Sequence, residues 1–196
     1  MLRPAYLIGG LVGVAAAAYG FFVWREKQGD KPDHRLVEAD GEIEVRDYPE
    51  LLVAQATAPG DRTAALNAGF RKLARYIFAE EREGEGIAMT APVLSERGGS
   101  GWRTRFVMPA EYSRETLPPP GPGVEIASIP ARRVAAIRFS GRATDARLQA
   151  KEAELVRWLE RKSRATNGPV SYAFYNSPYV APALLRSEVL IELAQS

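Results

Sequence analysis

Apolar residues recur with helical spacing in two stretches of the chain. In the first stretch, four of them stand at i, i+4, i+7 and i+11, namely Leu66, Phe70, Leu73 and Ile77. This spacing places them on one face of a helix, which we predict over residues 61–83. Asp61 or Thr63 can cap its start, and Gly84 breaks the chain after it.

The second stretch predicts another helix, over residues 144–162. Its inward positions are leucines, namely Leu148, Leu155 and Leu159. The Asn-Gly-Pro sequence at residues 167–169 stops any helical continuation, because proline and glycine both disfavour the helix interior.

Short apolar or alternating runs around these helices predict strands. Those of the first half cover residues 43–48, 51–57, 87–94 and 102–108, and those of the second half cover residues 124–129, 132–139, 170–175 and 188–193. Pro92 cannot donate to a ladder, so we place it at a strand edge or a strand end. The proline-rich segment 117–123 separates the two sets, since no regular element can run through it.

The two halves of this pattern match each other. At an offset of about 82 residues, core positions of the first helix align with those of the second: Leu66, Leu73 and Ile77 with Leu148, Leu155 and Leu159. We therefore predict an α+β fold of two duplicated β-β-α-β-β units, over residues 36–116 and 124–193. Their strands would join into a curved antiparallel sheet or distorted barrel, with both helices packed on it.

The first residues have a different character. Residues 5–24 carry no charged side chain, and a helix of that length spans the hydrocarbon core of a bilayer. Tyr6 and Trp24 lie near its ends, where interfacial aromatic residues are favoured. We predict a single transmembrane anchor within residues 1–24 that tethers the chain to a lipid bilayer. A cleaved signal peptide, cut among the alanines at 15–18, is the alternative.

A charged segment, residues 25–35, follows and predicts a juxtamembrane linker before the domain at residues 36–196. Lysine and arginine are more frequent in this linker than before the anchor. By the positive-inside rule this excess favours a domain on the cytoplasmic side of the membrane.

The amino-acid composition argues against several classes of function. The net charge of +2 is too small to indicate a nucleic-acid partner, for which a concentrated basic surface is expected. The chain has no cysteine, which excludes a disulfide scaffold, a thiolate metal site and a cysteine nucleophile. With a single histidine, His34, a Ser-His-Asp triad is not expected either. No constellation of catalytic residues is apparent, and we predict a binding protein rather than an enzyme.

Four sequence runs carry a family resemblance: AGFRKLARYI at 68–77, IAMTAPV at 87–93, FVMP at 106–109, and YNSP at 175–178 followed by Leu185-Arg186 and Glu188-Val189. In this order and spacing they resemble the SOUL heme-binding protein family, over about residues 37–193. Ala79 and Glu81 depart from the family pattern, which has Gly and Asn there. Ser187 also departs from it, standing where Asn is common.

The resemblance implies non-covalent binding of heme or a related porphyrin in a surface groove walled by the first helix. Carried onto this chain, it indicates five cofactor-binding residues: Asn67, Arg71, Arg75, Tyr76 and Phe78. The planar fork of arginine suits a propionate carboxylate, to which it donates two hydrogen bonds. The alternative interpretation of Arg71 and Arg75 is a solvated helix face.

The iron ligand is left open by the sequence. Heme iron is usually held by His, Cys, Met or Tyr. His34 lies in the linker and would have to fold back, whereas Tyr76 lies on the first helix itself. Met89 and Met108 fall in predicted strands, and we expect both in the core. Binding without a fixed axial ligand is the expectation that the resemblance gives.

Three other functions stay open. An effector-binding module of the gyrase-inhibitor type would hold a small organic cation against a carboxylate. A heme-modifying enzyme would use carboxylates such as Glu111 or Glu188, although Glu188 is more simply explained as the partner of a nearby arginine. A scaffold without any ligand is the third alternative.

Overall fold

The structure, a computed structural model, describes residues 31–80, 83–176 and 180–194. Its strands are β1 (Arg35–Asp40), β2 (Ile43–Tyr48), β3 (Leu51–Ala58), β4 (Val93–Gly98), β5 (Gly101–Val107), β6 (Glu125–Ile129), β7 (Arg132–Ser140), β8 (Thr166–Phe174) and β9 (Arg186–Leu193). Its helices are α1 (Arg62–Ile77) and α2 (Asp145–Arg161), and Pro182–Leu184 form one 3-10 turn.

All nine strands join one antiparallel sheet, in the order β1-β2-β7-β9-β8-β4-β5-β3-β6. Exchanging β2 with β6, β3 with β7, β4 with β8 and β5 with β9 reverses the order of these eight strands and otherwise leaves it unchanged. The α+β class and the curved antiparallel sheet are as predicted. The internal duplication stays a prediction, although this strand order is the one that two β-β-α-β-β units would give.

The two faces of the sheet carry separate cores, because successive side chains of a strand point to opposite faces. Ala54 packs with Leu73 of α1 on one face, whereas its neighbour Val53 belongs to a cluster on the other. That second cluster includes Ile129 of β6 and Val134 of β7, from strands that are far apart in the sheet order. The sheet therefore curves around the second cluster, with the helices on its outer face.

Both helices begin where the sequence predicts. Asp61 accepts a hydrogen bond from the Ala64 amide at 2.9 Å, and Thr144 accepts one from the Arg147 amide at 3.3 Å. These side chains satisfy amides that a helix start leaves without partners.

The predicted end of α1 at residue 83 is wrong, because the helix stops at Ile77. Ala79 adopts a left-handed backbone conformation, with φ of 57°, which closes the helix. Glu80 and Glu83 follow, and negative charge is unfavourable at a helix C-terminus.

Two strand predictions also need correction. Residues 87–92 are irregular, and β4 begins only at Val93, immediately after the proline that was placed at a strand end. The sequence pattern did not predict strand β1. It placed Arg35 in the linker and predicted no strand between residues 36 and 42. Five of the six residues of β1 are exposed, so this strand lacks the alternation that marks a half-buried strand.

The predicted membrane localisation does not hold for the structure. Within residues 31–80, 83–176 and 180–194, no helix is both long enough and apolar enough to cross a bilayer. The segment on which the prediction rested, residues 5–24, lies outside these described residues.

Candidate functional site

The outward side of α1 presents most of the predicted binding residues to solvent. Four of the five are exposed: Asn67, Arg71, Arg75 and Phe78. They lie opposite Leu73, which is fully buried against the sheet. The helix therefore shows a polar and cationic stripe that ends at an aromatic ring.

Tyr76, the fifth predicted residue, lies on the inner side of α1. It is 5% exposed, and its hydroxyl donates to the Pro118 carbonyl oxygen at 2.7 Å. This bond ties the helix to the proline-rich segment. The phenol oxygen is thus engaged within the protein and does not face the exposed stripe.

The end of α1 also displays a methionine. Met89 is 41% exposed, which corrects the expectation that it is in the core, whereas Met108 is 6% exposed and does lie in the core. The Ile87 amide donates to the Ile77 carbonyl at 2.7 Å, so the segment that carries Met89 starts against the last turn of α1. Phe78 and Met89 are the exposed large apolar side chains at this end of the helix.

A shallow groove lies between the proline-rich segment and β6, whose Ile126 packs against the core cluster beneath α1. It encloses about 470 Å³ and is lined by Arg114, Leu117, Pro118, Pro119, Pro120, Val124, Glu125 and Ile126. Its volume is in the range of small-molecule sites. Tyr76 of α1 borders it through the hydrogen bond to Pro118, and the Lys72 side chain lies close to Gly123.

A buried ionic network occupies the inner face of the sheet. Glu188 is fully buried and accepts from Arg46 at 2.7 and 3.1 Å, from Arg186 at 2.6 Å and from the Tyr175 hydroxyl at 2.8 Å. Arg46, itself 2% exposed, also donates to Tyr48 at 3.1 Å. Three residues of the C-terminal motif that carried the family resemblance therefore meet in one cluster with two residues of β2.

The network shifts the acidity of its members. Burial by itself would raise the pKa of Glu188, but hydrogen bonds and charge attraction from Arg46 and Arg186 outweigh it and hold that pKa at about 2. Burial and the adjacent Glu188 carboxylate raise the pKa of Tyr175. Both oxygens of Glu188 are engaged, so the carboxylate is a structural counter-ion here and does not reach a substrate as a general acid or base must.

His34 is placed away from α1. Its ring centroid is 5.1 Å from that of Tyr48, whose side chain packs against the inner cluster of the sheet. Helix α1 covers the outer face of β3 and β5. The fold therefore does not bring His34 to the exposed stripe of the helix.

A second, smaller cavity lies between the first turns of the two helices. It holds about 220 Å³ and is lined by Asp61, Arg62, Arg97, Trp102, Asp145, Leu148, Gln149 and Tyr172. Trp102 and Tyr172 stack with their centroids 6.0 Å apart and form its aromatic floor. Arg62 bridges the helices by donating to Asp145 at 2.5 Å.

Sequence reasoning found the α1 stripe but not these two cavities. Their walls come from residues far apart in the chain, and no local spacing signals such a meeting. Among the described residues, no group of three His, Cys, Asp or Glu side chains is arranged to hold a metal ion.

Comparison with known proteins decides the family. The model of the SOUL heme-binding proteins matches residues 29–192. The chain belongs to the SOUL heme-binding protein family. No curated protein matches this SOUL chain in sequence.

Solved structures share the fold of this SOUL protein at low identity. A hydrolase from Listeria innocua is 11% identical, with a TM-score of 0.56 over 80% of this chain and 94% of that chain. The C-terminal domain of EcmrR is 10% identical, with a TM-score of 0.60 over 83% and 99%. EcmrR in its complex with DNA is 9% identical, with a TM-score of 0.61 over 98% and 70%. At these identities the likeness shows the fold alone.

Proposed function

We propose that this SOUL protein reversibly binds heme or a related tetrapyrrole beside α1, through apolar contacts and arginine–propionate pairing. One observation carries the proposal beyond family membership. The outward stripe of α1 combines exposed arginines with an exposed aromatic ring, and these are the two kinds of contact that a tetrapyrrole with propionate groups requires.

The cationic part of the stripe suits carboxylates. Arg71 is exposed and forms no ion pair with any described residue, so its guanidinium retains donors for a ligand. Arg75 lies one turn further along, in the last turn of the helix. A planar guanidinium donates two parallel hydrogen bonds to one carboxylate, which a lysine cannot do.

The apolar part of the stripe suits a macrocycle. Phe78 is 54% exposed at the end of the helix, and covering such a ring removes apolar surface from water. The bound heme would supply the iron chemistry. The residues of this chain would hold the ring by contact with Phe78 and orient it by pairing its propionates with Arg71 and Arg75.

Hemin titration of the full chain, followed by Soret absorbance, tests the proposal. We expect a saturable shift in the wild type. The double variant Arg71→Ala/Arg75→Ala should bind about 2- to 30-fold more weakly, because exposed charge pairs are each worth about 0.2–1 kcal/mol.

A matched control is available on α2, where Arg157 and Arg161 have the same i, i+4 spacing and are both exposed. Arg157→Ala/Arg161→Ala removes the same charge and should leave hemin affinity unchanged. If both double variants bind hemin equally weakly, the loss of affinity comes from the change in net charge and not from pairing at α1. The absence of a saturable Soret shift in the wild type would disprove heme binding.

The cavity between the helices favours one second candidate, an effector-binding module for a small organic ligand. Its aromatic floor suits a flat organic ligand, and the carboxylates of Asp61 and Asp145 share its lining with the guanidinium groups of Arg62 and Arg97. Its volume of about 220 Å³ admits only a small molecule, below the usual range of ligand sites. Saturable binding of a cationic dye that hemin does not displace would support this second site.

A further inference from the structure

Met89 is held in a fixed position with its side chain turned outward. On one side, the Ile87 amide bonds to the Ile77 carbonyl, and Ile87 is buried in the core beneath α1. On the other side, the Thr90 hydroxyl donates to the Val107 carbonyl at 2.6 Å. Two anchors thus fix the backbone around an exposed thioether.

The segment that carries this thioether runs past the end of α1, where the exposed stripe ends. A Cβ atom built on Gly86 would be 3.9 Å from the Cα of Phe78, so Gly86 touches the end of the helix. Met89 follows three residues later, within roughly 10 Å of Gly86 even for a fully extended chain. The path of the chain therefore keeps Met89 in the neighbourhood of Phe78, at the same end of α1.

Among the donors that the sequence singled out, the alternatives to Met89 are absent, buried or placed elsewhere. The chain has no cysteine, and Met108 is buried. Among the described residues that the sequence singled out, Tyr76 donates its hydroxyl to Pro118, and His34 packs on Tyr48 away from α1. Methionine is an established axial ligand of heme and raises the reduction potential of the iron.

We propose that the Met89 sulfur is an axial ligand of the iron when a heme is bound beside α1. The proposal rests on the proposed heme-binding function. The sulfur donates a lone pair to the iron, so no proton and no oxidant is needed. The expected consequence is a ferric heme with a thioether–iron charge-transfer band and a reduction potential higher than that of a heme without this ligand.

The test uses the full chain loaded with hemin, in matched variants Met89→Leu and Met108→Leu. Leucine conserves most of the volume of methionine, so both variants should fold. We expect the near-infrared thioether–iron band in the wild type and in Met108→Leu, and its complete loss in Met89→Leu. The reduction potential should fall in Met89→Leu only. A third variant, Met89→His, should give the spectrum of a histidine-ligated heme.

The outcomes separate this inference from the function on which it rests. A Met89→Leu protein that binds hemin but keeps the wild-type near-infrared band and potential overturns the ligation and leaves heme binding intact. A wild-type holoprotein that shows no thioether band overturns the ligation in the same way. A wild type that gives no saturable Soret shift overturns both.

Discussion

Among single residues, Arg46 and Glu188 form the most deeply buried ion pair of the described part of the chain. Both side chains are almost completely buried, and their contact joins β2 to β9 across β7. Charges removed from water are tolerated only when they are paired and hydrogen-bonded, as these are. Loss of one partner would leave the other charge with a single, less buried partner, Glu44 for Arg46 or Arg186 for Glu188.

We expect stability at low pH to depend on Glu188. In the unfolded chain a glutamate titrates near pH 4.3, about two units above the folded pKa of about 2. The carboxylate is thus favoured in the folded state, which adds about 3 kcal/mol to the free energy of unfolding. This contribution is complete above the unfolded pKa and is lost as the pH falls from there through about 2. Urea unfolding between pH 7 and pH 2 measures it.

Glu188→Gln is the control for this pH dependence. Its free energy of unfolding should be lower at neutral pH, because Arg46 loses its buried counter-ion, and should fall less steeply on acidification than that of the wild type. Asp47 also titrates in this range, since Arg133 holds its pKa at about 2. The difference between the two proteins isolates Glu188, and equal slopes would refute the prediction.

At the scale of secondary structure elements, the close approach of α1 to the sheet depends on Gly69. A Cβ atom at this position would be 2.5 Å from the Thr104 hydroxyl oxygen and 2.8 Å from the Thr104 Cβ. Thr104 is itself fully buried on β5. The missing side chain therefore sets the distance between helix and strand beneath the proposed binding stripe.

Gly69→Ala should destabilise the protein although alanine is the better helix former. The propensity gain is about 1 kcal/mol, whereas forcing an extra methyl group into a packed core costs about 1–3 kcal/mol. We expect a net loss of up to about 2 kcal/mol in urea unfolding. Asn67→Ala, at an exposed position of the same helix, has no such clash and should keep or slightly raise stability. A stabilised Gly69→Ala would contradict the packing argument.

At the scale of the whole molecule, the two halves of the chain are interleaved. Strand β2 of the first half pairs with β7 of the second, and β6 of the second half pairs with β3 of the first. The halves also meet in the middle of the sheet, where β4 pairs with β8. Neither half can therefore complete its part of the sheet without the other.

This interleaving predicts the behaviour of separated halves. The two halves can be produced as separate fragments, residues 31–116 and residues 124–194, without the proline-rich segment. We expect neither to show a cooperative unfolding transition, because the first would leave β1 and β2 as an isolated hairpin. Mixing the two should restore cooperative unfolding, as judged by circular dichroism in urea. A cooperative transition in either fragment alone would disprove this view of the fold.

Local sequence patterns predicted the helices and strands more completely than they predicted the surroundings of the candidate binding site. The runs at residues 43–48 and 132–139 and the helical spacings that begin at residues 61 and 144 predicted elements whose starts the structure reproduces. Helix α1 ended early because a left-handed residue and local charge competed with its apolar spacing. Met89 was expected in the core because its apolar neighbours resemble those of a buried strand. Periodicity alone cannot distinguish such a strand from an irregular segment anchored by Ile87 and Thr90.

The family, the α+β class and the cationic stripe on α1 can be read from the amino-acid sequence, because periodicity, caps and motifs are local in the chain. The surroundings of that stripe depend on the three-dimensional fold. It turned Tyr76 inward, exposed Met89 and brought Arg46 to Glu188 across 142 positions of sequence separation. The physical reason is that burial and pairing depend on which strands become neighbours, and antiparallel sheet pairing joins residues whose separation along the chain leaves no local signal.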